Sequence, residues 1–283
     1  GIIMDFHTEP PTLTRVPFYK TSPLAFINNA KGELLAYTNG CKVSNRMHKD
    51  MQNGEEMNLG KVQEKFCGSN SSTYPLWQGF LFLPQPGSQD SVYCLLHLHC
   101  DDVKWDPDAL LVSTIHPNLD NGLGAIVKKD ETVLKDTLLS NYITATRHAN
   151  GRDWWVIAPR THVPQYQLFL LDPTGVHYQG VQELGATDTK IYESQICFSA
   201  DGSKFIKNWP SGLSVFDFDR CTGLLSNPVY IAYDSTFKAS GGVVTSPNSR
   251  FLYLFGFNKV WQYDFWATDF KASRQTVAVY DGF

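Results

Sequence analysis

Two stretches of this chain concentrate residues capable of chemistry. In "HLHCDD", His97 and His99 stand two apart, and residues at that spacing leave a strand on one face. A pair of imidazoles on one face is metal-ligand geometry once a third ligand joins, and Asp101 and His116 are the candidates. Every strand places residues two apart on one face, however, and the sequence fixes no third ligand. No metal is therefore expected, with His97 and His99 the residues to watch.

The densest polar cluster is "RHANGRDWW", which gathers His148, Asn150, Arg152 and Asp153 beside Trp154 and Trp155. An active centre here would use His148 as general base and Arg152 as an anion clamp. A structural turn explains the same residues. Asn150-Gly151 suits a hairpin corner, Arg152 and Asp153 would tie neighbouring sheets together, and the tryptophans would fill the core between them. The turn is the preferred reading, and it expects loss of Arg152 to cost stability by breaking a buried charge pair. No Gly-x-Ser-x-Gly elbow, P-loop, HExxH or dinucleotide fingerprint occurs, so neither a catalytic residue nor a cofactor is expected.

The elements that must hold these residues are short. Aromatic residues make up 13% of the 283-residue chain and charged residues only 18%, with 21 Gly and 15 Pro, a composition that suits strands and turns. The net charge of −4 and scattered basic residues provide no electrostatic stripe for nucleic acid. No window reaches the ~20 apolar residues of a membrane span, and "GIIMDFHTEPP" lacks a basic n-region. The chain therefore reads as a processed polypeptide without a transmembrane segment. Its six cysteines show neither CxxC nor paired zinc-ligand spacing.

A repeat organises the strands. Slid by 47 residues, Cys197 to Asp234 lies without a gap on Val244 to Asp281, matching Ser199 with Ser246, Asp217 with Asp264 and Tyr233 with Tyr280. Each copy holds a turn, at Asp201-Gly202 in "SADGS" and around Asn248 in "SPNSR". Two further strands follow. Four short strands in some 40 to 50 residues is the size of one propeller blade. Weaker copies run through "TATRHANGRDWWVIAPR", "GFLFLPQPGSQDSVYCLLHLH" and "LAFINNAKGELLAYTNGCKVSN", giving five blade-like units in an all-β β-propeller of four-stranded antiparallel blades. A two-sheet sandwich would share the short strands but would not predict the 47-residue echo. Asp217 and Asp264 recur in equivalent places, which fits acceptors for turn N–H groups better than a single active centre.

The phrases "NGCKVSN", "MQNGEEMNLG", "EKFCG", "GFLFLPQPG", "FDFDRCTGLLSN" and "WQYDFWATDFKASRQTVAVYDGF" together resemble secreted, WD-repeat-like and YVTN-like propeller proteins of Bacteroidota, which often end in a type IX secretion sorting domain. The resemblance implies six or seven blades in the complete domain. Residues 1–283 then form a single propeller domain, incomplete at both ends and continuous with further domains. It also implies cysteines at Cys41 and Cys67, paired in an oxidising compartment around a polar insertion in the first blade. Such a loop of roughly 25 residues would contribute about 3 kcal/mol. Cys94, Cys100, Cys197 and Cys221 are expected to be buried thiols, and Asn70-Ser71-Ser72 matches a glycosylation sequon.

The functional expectation is a non-enzymatic, extracellular or cell-surface propeller that binds a protein or glycan within a larger exported protein. The alternatives are a polysaccharide hydrolase or lyase, with two carboxylates ~5 to 10 Å apart, and a structural subunit of an extracellular assembly.

Overall fold

The computed structural model describes residues 2–5, 8–15, 25–68, 73–137, 139–187, 195–233 and 242–280. Asn70-Ser71-Ser72, Asp234 and Asp281 lie outside them. The chain divides into two compact units, Gly1–Thr137 and Leu138–Phe283, with the division between the second and third blades.

In the first unit, strands β1 (Ile2–Asp5) and β2 (Thr12–Arg15) form a two-stranded sheet. The first blade follows with β3 (Ala25–Asn28), β4 (Leu34–Thr38) and β5 (Val43–Asn45), and then helix α1 (Lys61–Cys67). The second blade is β6 (Phe80–Pro84), β7 (Tyr93–Cys100), β8 (Pro107–His116) and β9 (Ala125–Lys135). In the second unit the third blade comprises β10 (Thr144–Arg147), β11 (Trp154–Pro159), β12 (Gln165–Asp172) and β13 (Gly175–Glu183). The fourth is β14 (Gln195–Phe198), β15 (Lys204–Trp209), β16 (Gly212–Asp219) and β17 (Leu224–Ala232). The fifth is β18 (Val243–Thr245), β19 (Phe251–Phe255), β20 (Lys259–Asp264) and β21 (Gln275–Val279).

Every sheet is an antiparallel meander in sequence order, and the fold is a β-propeller with five blades. This topology excludes the sandwich. Four blades have four strands, and the first has three among the described residues. Within the second unit the leading strands β10, β14 and β18 lie side by side, so each blade packs face-on against the next. Between the third and fourth, Trp155, Ile157 and Leu168 meet Phe205, Phe216 and Phe218. Between the fourth and fifth, Ile206, Leu213 and Val215 meet Val243, Leu252 and Leu254. Strands packed on both faces cannot alternate apolar with polar, which explains the continuous hydrophobic run "WWVIAP".

The segment 41–67 departs from the expected polar loop. Its start supplies β5, the third strand of the first blade, and its end is α1. Cys41, Met51, Met57 and Val62 are buried, so a few apolar residues spaced among polar ones are enough to seat it. Gln52 bridges to Ala125, the Asn53 amide donates to the Ile126 carbonyl, and the Asn58 N–H donates to Asp130 Oδ2 at 2.8 Å. The segment is thus a strap laid along β9. A Cys41–Cys67 disulfide closes it, with the Cα atoms 5.5 Å apart.

Candidate functional site

β7 brings His97 and His99 to one face, but each finds a different set of partners. His97 is fully buried. Its Nδ1 lies 2.7 Å from Asn58 Oδ1 and its Nε2 3.1 Å from Ser113 Oγ, with Asp130 Oδ1 at 3.5 Å. Asn58 Nδ2 donates to the Gly40 carbonyl, which fixes Oδ1 toward the ring. Nδ1 therefore carries the proton, and Nε2 accepts from the serine hydroxyl. Burial, with His99 nearby, pushes the His97 pKa down to about 3, so the ring is neutral. Nucleophile, base and orienting amide are in the order that acyl transfer uses. Yet Ser113 and His97 are both completely shielded, and no substrate carbonyl can reach them.

His99 faces Asp108 Oδ1 at 2.7 Å and the Leu59 carbonyl at 3.2 Å, so both its nitrogens are also occupied. Asp101, one candidate third ligand, accepts the N–H groups of Val103, Lys104 and Asp106 instead. Among the described residues no three metal-capable side chains converge. The sequence could not reveal this network, because Asn58, Ser113 and Asp130 reach His97 from separate elements.

In the "RHANGRDWW" turn, Asn150 Oδ1 accepts the N–H groups of Arg152 and Asp153, and Gly151 takes φ 72°. Arg152 Nε donates to Asp153 Oδ1 at 2.7 Å, and Asn150 Nδ2 donates to Asp153 Oδ2 at 2.6 Å. Arg152, with Asn150, holds the Asp153 carboxyl below the usual range. This pair corrects the expectation of an inter-blade tie, because it joins sequence neighbours and the Arg152 side chain is 56% exposed. A guanidinium that far into water has little desolvation to recover. Trp155 does fill the core, edge-on to Phe218 of the fourth blade.

The inter-blade tie is Arg220, which the sequence reading missed. It donates to the carbonyls of Arg147 (2.7 Å), Asp201 (2.9 Å) and His148 (3.3 Å), and its own carbonyl accepts from Ala149 N–H and Trp155 Nε1. His148 is spent within the same corner, its Nδ1 at 3.0 Å from the Asn150 N–H and its ring stacked on Trp155.

The repeated turns agree closely. Ser199 Oγ lies 2.6 Å from Asp201 Oδ1 and accepts the Lys204 N–H. Ser246 Oγ lies 2.6 Å from Asn248 Oδ1 and accepts the Phe251 N–H. Gly202 and Ser249 N–H groups both return to the serine carbonyls. At Gly202 a Cβ would collide with Thr146 Oγ1 of the third blade, whereas Ser249 uses its hydroxyl to take the Asp201 N–H at 2.8 Å. Asp217 and Asp264 hold equivalent registers, opposite Lys204 and Phe251. Asp217 accepts from Lys204 and Asn227 side chains. Asp264 accepts from Arg250 (2.7 Å) and from one turn N–H, that of Trp266. The turn-acceptor role thus holds for Asp264 and is replaced by side-chain donors at Asp217.

Cys94 and Cys100 are buried thiols. Cys197 is half-buried, and Cys221 is exposed because it sits in the turn closed by Asp219, contrary to expectation.

Several large apolar side chains of the first unit stand in solvent. Trp77 is 81% exposed and Val103 85%. Trp105 is 41% exposed, at φ 64°, under the Lys65 ammonium and edge-on to Phe66 of α1. Asp102 Oδ1 accepts the Lys61 N–H at 2.6 Å, which joins this turn to α1. No helix among the described residues is long and apolar enough to cross a membrane.

No protein-family model and no curated protein matches the chain. Solved structures do. A candidate 6-phosphogluconolactonase from Bacteroides uniformis is 15% identical over 99% of this chain and 78% of its own, with a TM-score of 0.60. A variant of AofleA from Arthrobotrys oligospora is 12% identical over 96% of this chain and 77% of its own, at a TM-score of 0.52. The periplasmic gluconolactonase of Pseudomonas aeruginosa is 12% identical over 99% and 67%, at 0.50. These likenesses show the fold. At such identities they assign no chemistry to this chain.

Proposed function

We propose that this protein is a non-enzymatic binding module that engages a glycan or protein through exposed tryptophans of its first unit, Trp77 and Trp105, the latter against helix α1 of the disulfide-closed strap. One contrast carries the reading. The residues best suited to catalysis, His97, Ser113, His148, Arg152 and Asp153, are committed to partners inside the molecule, while Trp77, Trp105 and Val103 are offered to solvent. Exposed tryptophan beside a cation and hydrogen-bonding groups suits the faces of sugar rings and the hot spots of protein interfaces alike.

In this reading Asn150, Gly151, Arg152, Asp153, Asp201, Gly202, Asp217, Asn248 and Asp264 have structural roles in the blade turns, and His97 and His99 are struts without metal. The Cys41–Cys67 bridge fits a secreted or outer-surface setting, with the module part of a larger exported protein of the type IX kind that its phrases resemble.

The test is a glycan array and an affinity capture, each with wild type, Trp77→Ala and Trp105→Ala. Binding that both substitutions reduce at least tenfold supports the reading. The rival enzyme class is favoured by the gluconolactonase neighbours. Turnover of gluconolactone or 6-phosphogluconolactone by wild type, undiminished in both tryptophan variants, would overturn the proposal.

A further inference from the structure

Helix α1, which packs against Trp105, has little of its own to hold it in place. Its seven residues fall short of the roughly 12 to 15 at which a helix becomes even marginally stable alone in water. Gly60 at its N-cap offers no side-chain bond to the first turn, and Val62 is its buried residue. Three further contacts join it to the rest of the first unit. Asp102 Oδ1 accepts the Lys61 N–H at 2.6 Å, the Lys65 ammonium lies 3.7 Å from the Trp105 ring centroid with Phe66 edge-on to the same ring, and Cys67 is bonded to Cys41.

The three are unequal. Asp102 and Lys65 stand in water, which competes for both and leaves such surface contacts weak. The disulfide alone is covalent, and it reaches Cys41, which is 4% exposed between β4 and β5 of the first blade. The Trp105 ring depends on α1 in return. Asp101 fixes the backbone of its turn by accepting the N–H groups of Val103, Lys104 and Asp106, but the ring itself is held by Lys65 and Phe66, the two residues before Cys67. The remaining four cysteines are free thiols, so a reductant of disulfides has one target in this chain.

We infer that the Cys41–Cys67 bridge is a redox switch for the Trp105 surface, which is assembled in the oxidised protein and dispersed when a dithiol reduces the bridge. The inference rests on the binding role proposed above. A thiolate of the dithiol attacks the sulfur of Cys67, the half-buried member of the pair, and the Cys41 sulfur leaves as a thiolate that takes up a proton. The second thiol of the reductant then attacks the mixed disulfide, releasing Cys67 and closing the reductant into its own disulfide, so two electrons and two protons pass to the protein. What then holds α1 is Val62 and two contacts in water. Lys65 and Phe66 leave the ring as the helix frays, and with them goes the surface a ligand would meet.

The experiment compares oxidised wild type with wild type reduced by dithiothreitol, with thiol counting to establish each state. Two readouts need no ligand: the indole N–H signal of Trp105 in an NMR spectrum, assigned by its loss in Trp105→Phe, and hydrogen exchange across Lys61–Gly68. Reduction should move the indole signal to the position of a freely exposed ring and speed exchange in α1 about tenfold or more, with β15 unchanged and reoxidation restoring both. An unmoved signal and unchanged α1 exchange in fully reduced protein overturn the proposal, and so does exchange that rises equally in β15. Phe66→Ala with the bridge intact should also displace the Trp105 signal, and a wild-type position there would overturn the hold of α1 on the ring. The glycan array is then repeated in both states. Trp105-dependent binding should vanish on reduction and return on reoxidation, and its survival in reduced protein overturns the switch. An array without any ligand counts against the binding role alone, since the two ligand-free readouts still decide the switch.

Discussion

The fourth and fifth blades share the same phrase, the same turn hydrogen bonds and the same register between their second and third strands, yet they are buried differently. In β15 the five residues after Lys204 are all buried, and so are the first five of β16. In β19 and β20 buried positions largely alternate with half-buried ones. The equivalent pairs show how this arises. Ile206 and Val215 of the fourth blade point at the fifth and are sealed, whereas Tyr253 and Gln262, which replace them 47 positions on, point away from the fourth blade and are only partly covered. The phrase encodes a four-stranded sheet and its corner. How deeply each face is buried depends on the neighbouring sheet, a tertiary contribution that no single blade's sequence contains.

The largest effect expected from this comparison is at those paired positions. Ile206→Ala should cost about 2 to 5 kcal/mol by opening a cavity between two sheets. Tyr253→Ala should cost about 1 kcal/mol or less, because its ring is not enclosed. Urea unfolding of both variants measures the difference, and equal losses would mean that the outer face of the fifth blade is as well packed as the inner one.

Next is the strap, which has no counterpart in the fourth or fifth blade. Cys41→Ser with Cys67→Ser should lower stability by about 2 to 4 kcal/mol. Hydrogen exchange should rise in β5 and α1 and stay unchanged in β15 and β20. Acceleration spread evenly over all blades would contradict a local clamp.

Acid distinguishes the units as well. The folded His97 pKa of about 3 lies below the unfolded value near 6.5, so the unfolded chain takes up the proton first. Stability supplied by this group is complete above pH 6.5 and is lost progressively as pH falls toward 3. Partly buried Asp130, its pKa raised chiefly by burial, works weakly in the opposite sense. A His97→Gln protein should show a flatter stability profile between pH 6.5 and 4, measured by denaturant midpoints.

The smallest effects concern the corners. Gly202→Ala should be more damaging than Gly151→Ala, since both are left-handed but only the first would press a methyl group into a neighbouring blade. Arg152→Ala should scarcely move the melting temperature, given its exposed pair with Asp153. A large loss there would revive the inter-blade tie.

Much of this architecture was legible because repeats, turn residues and strand patterns are local. Asp201-Gly202, Asn248 and Asn150-Gly151 announce their corners by residue type alone. Elements that depend on distant partners were not legible. Val43–Asn45 looks like part of a polar loop until β4 is beside it. Arg220 looks like an ordinary turn residue until the third blade presents the carbonyls of Arg147 and His148 to it, beside that of Asp201 in its own blade. The proposed binding surface was hidden for a related reason: nothing in the letters of Trp77 or Trp105 distinguishes an exposed ring from those of Trp155 and Trp209, which are buried.

The Arg220 contact has a consequence for how this protein can change its sequence. Its guanidinium recognises main-chain oxygens, which every amino acid carries, so positions 147, 148 and 201 can drift without withdrawing the acceptors. Position 220 has no such freedom, because a planar array of donors at that reach is specific to arginine. Specification of the guanidinium contact is therefore one-sided. A single position supplies the donors of this contact, and the facing backbone contributes a shape that many sequences could supply.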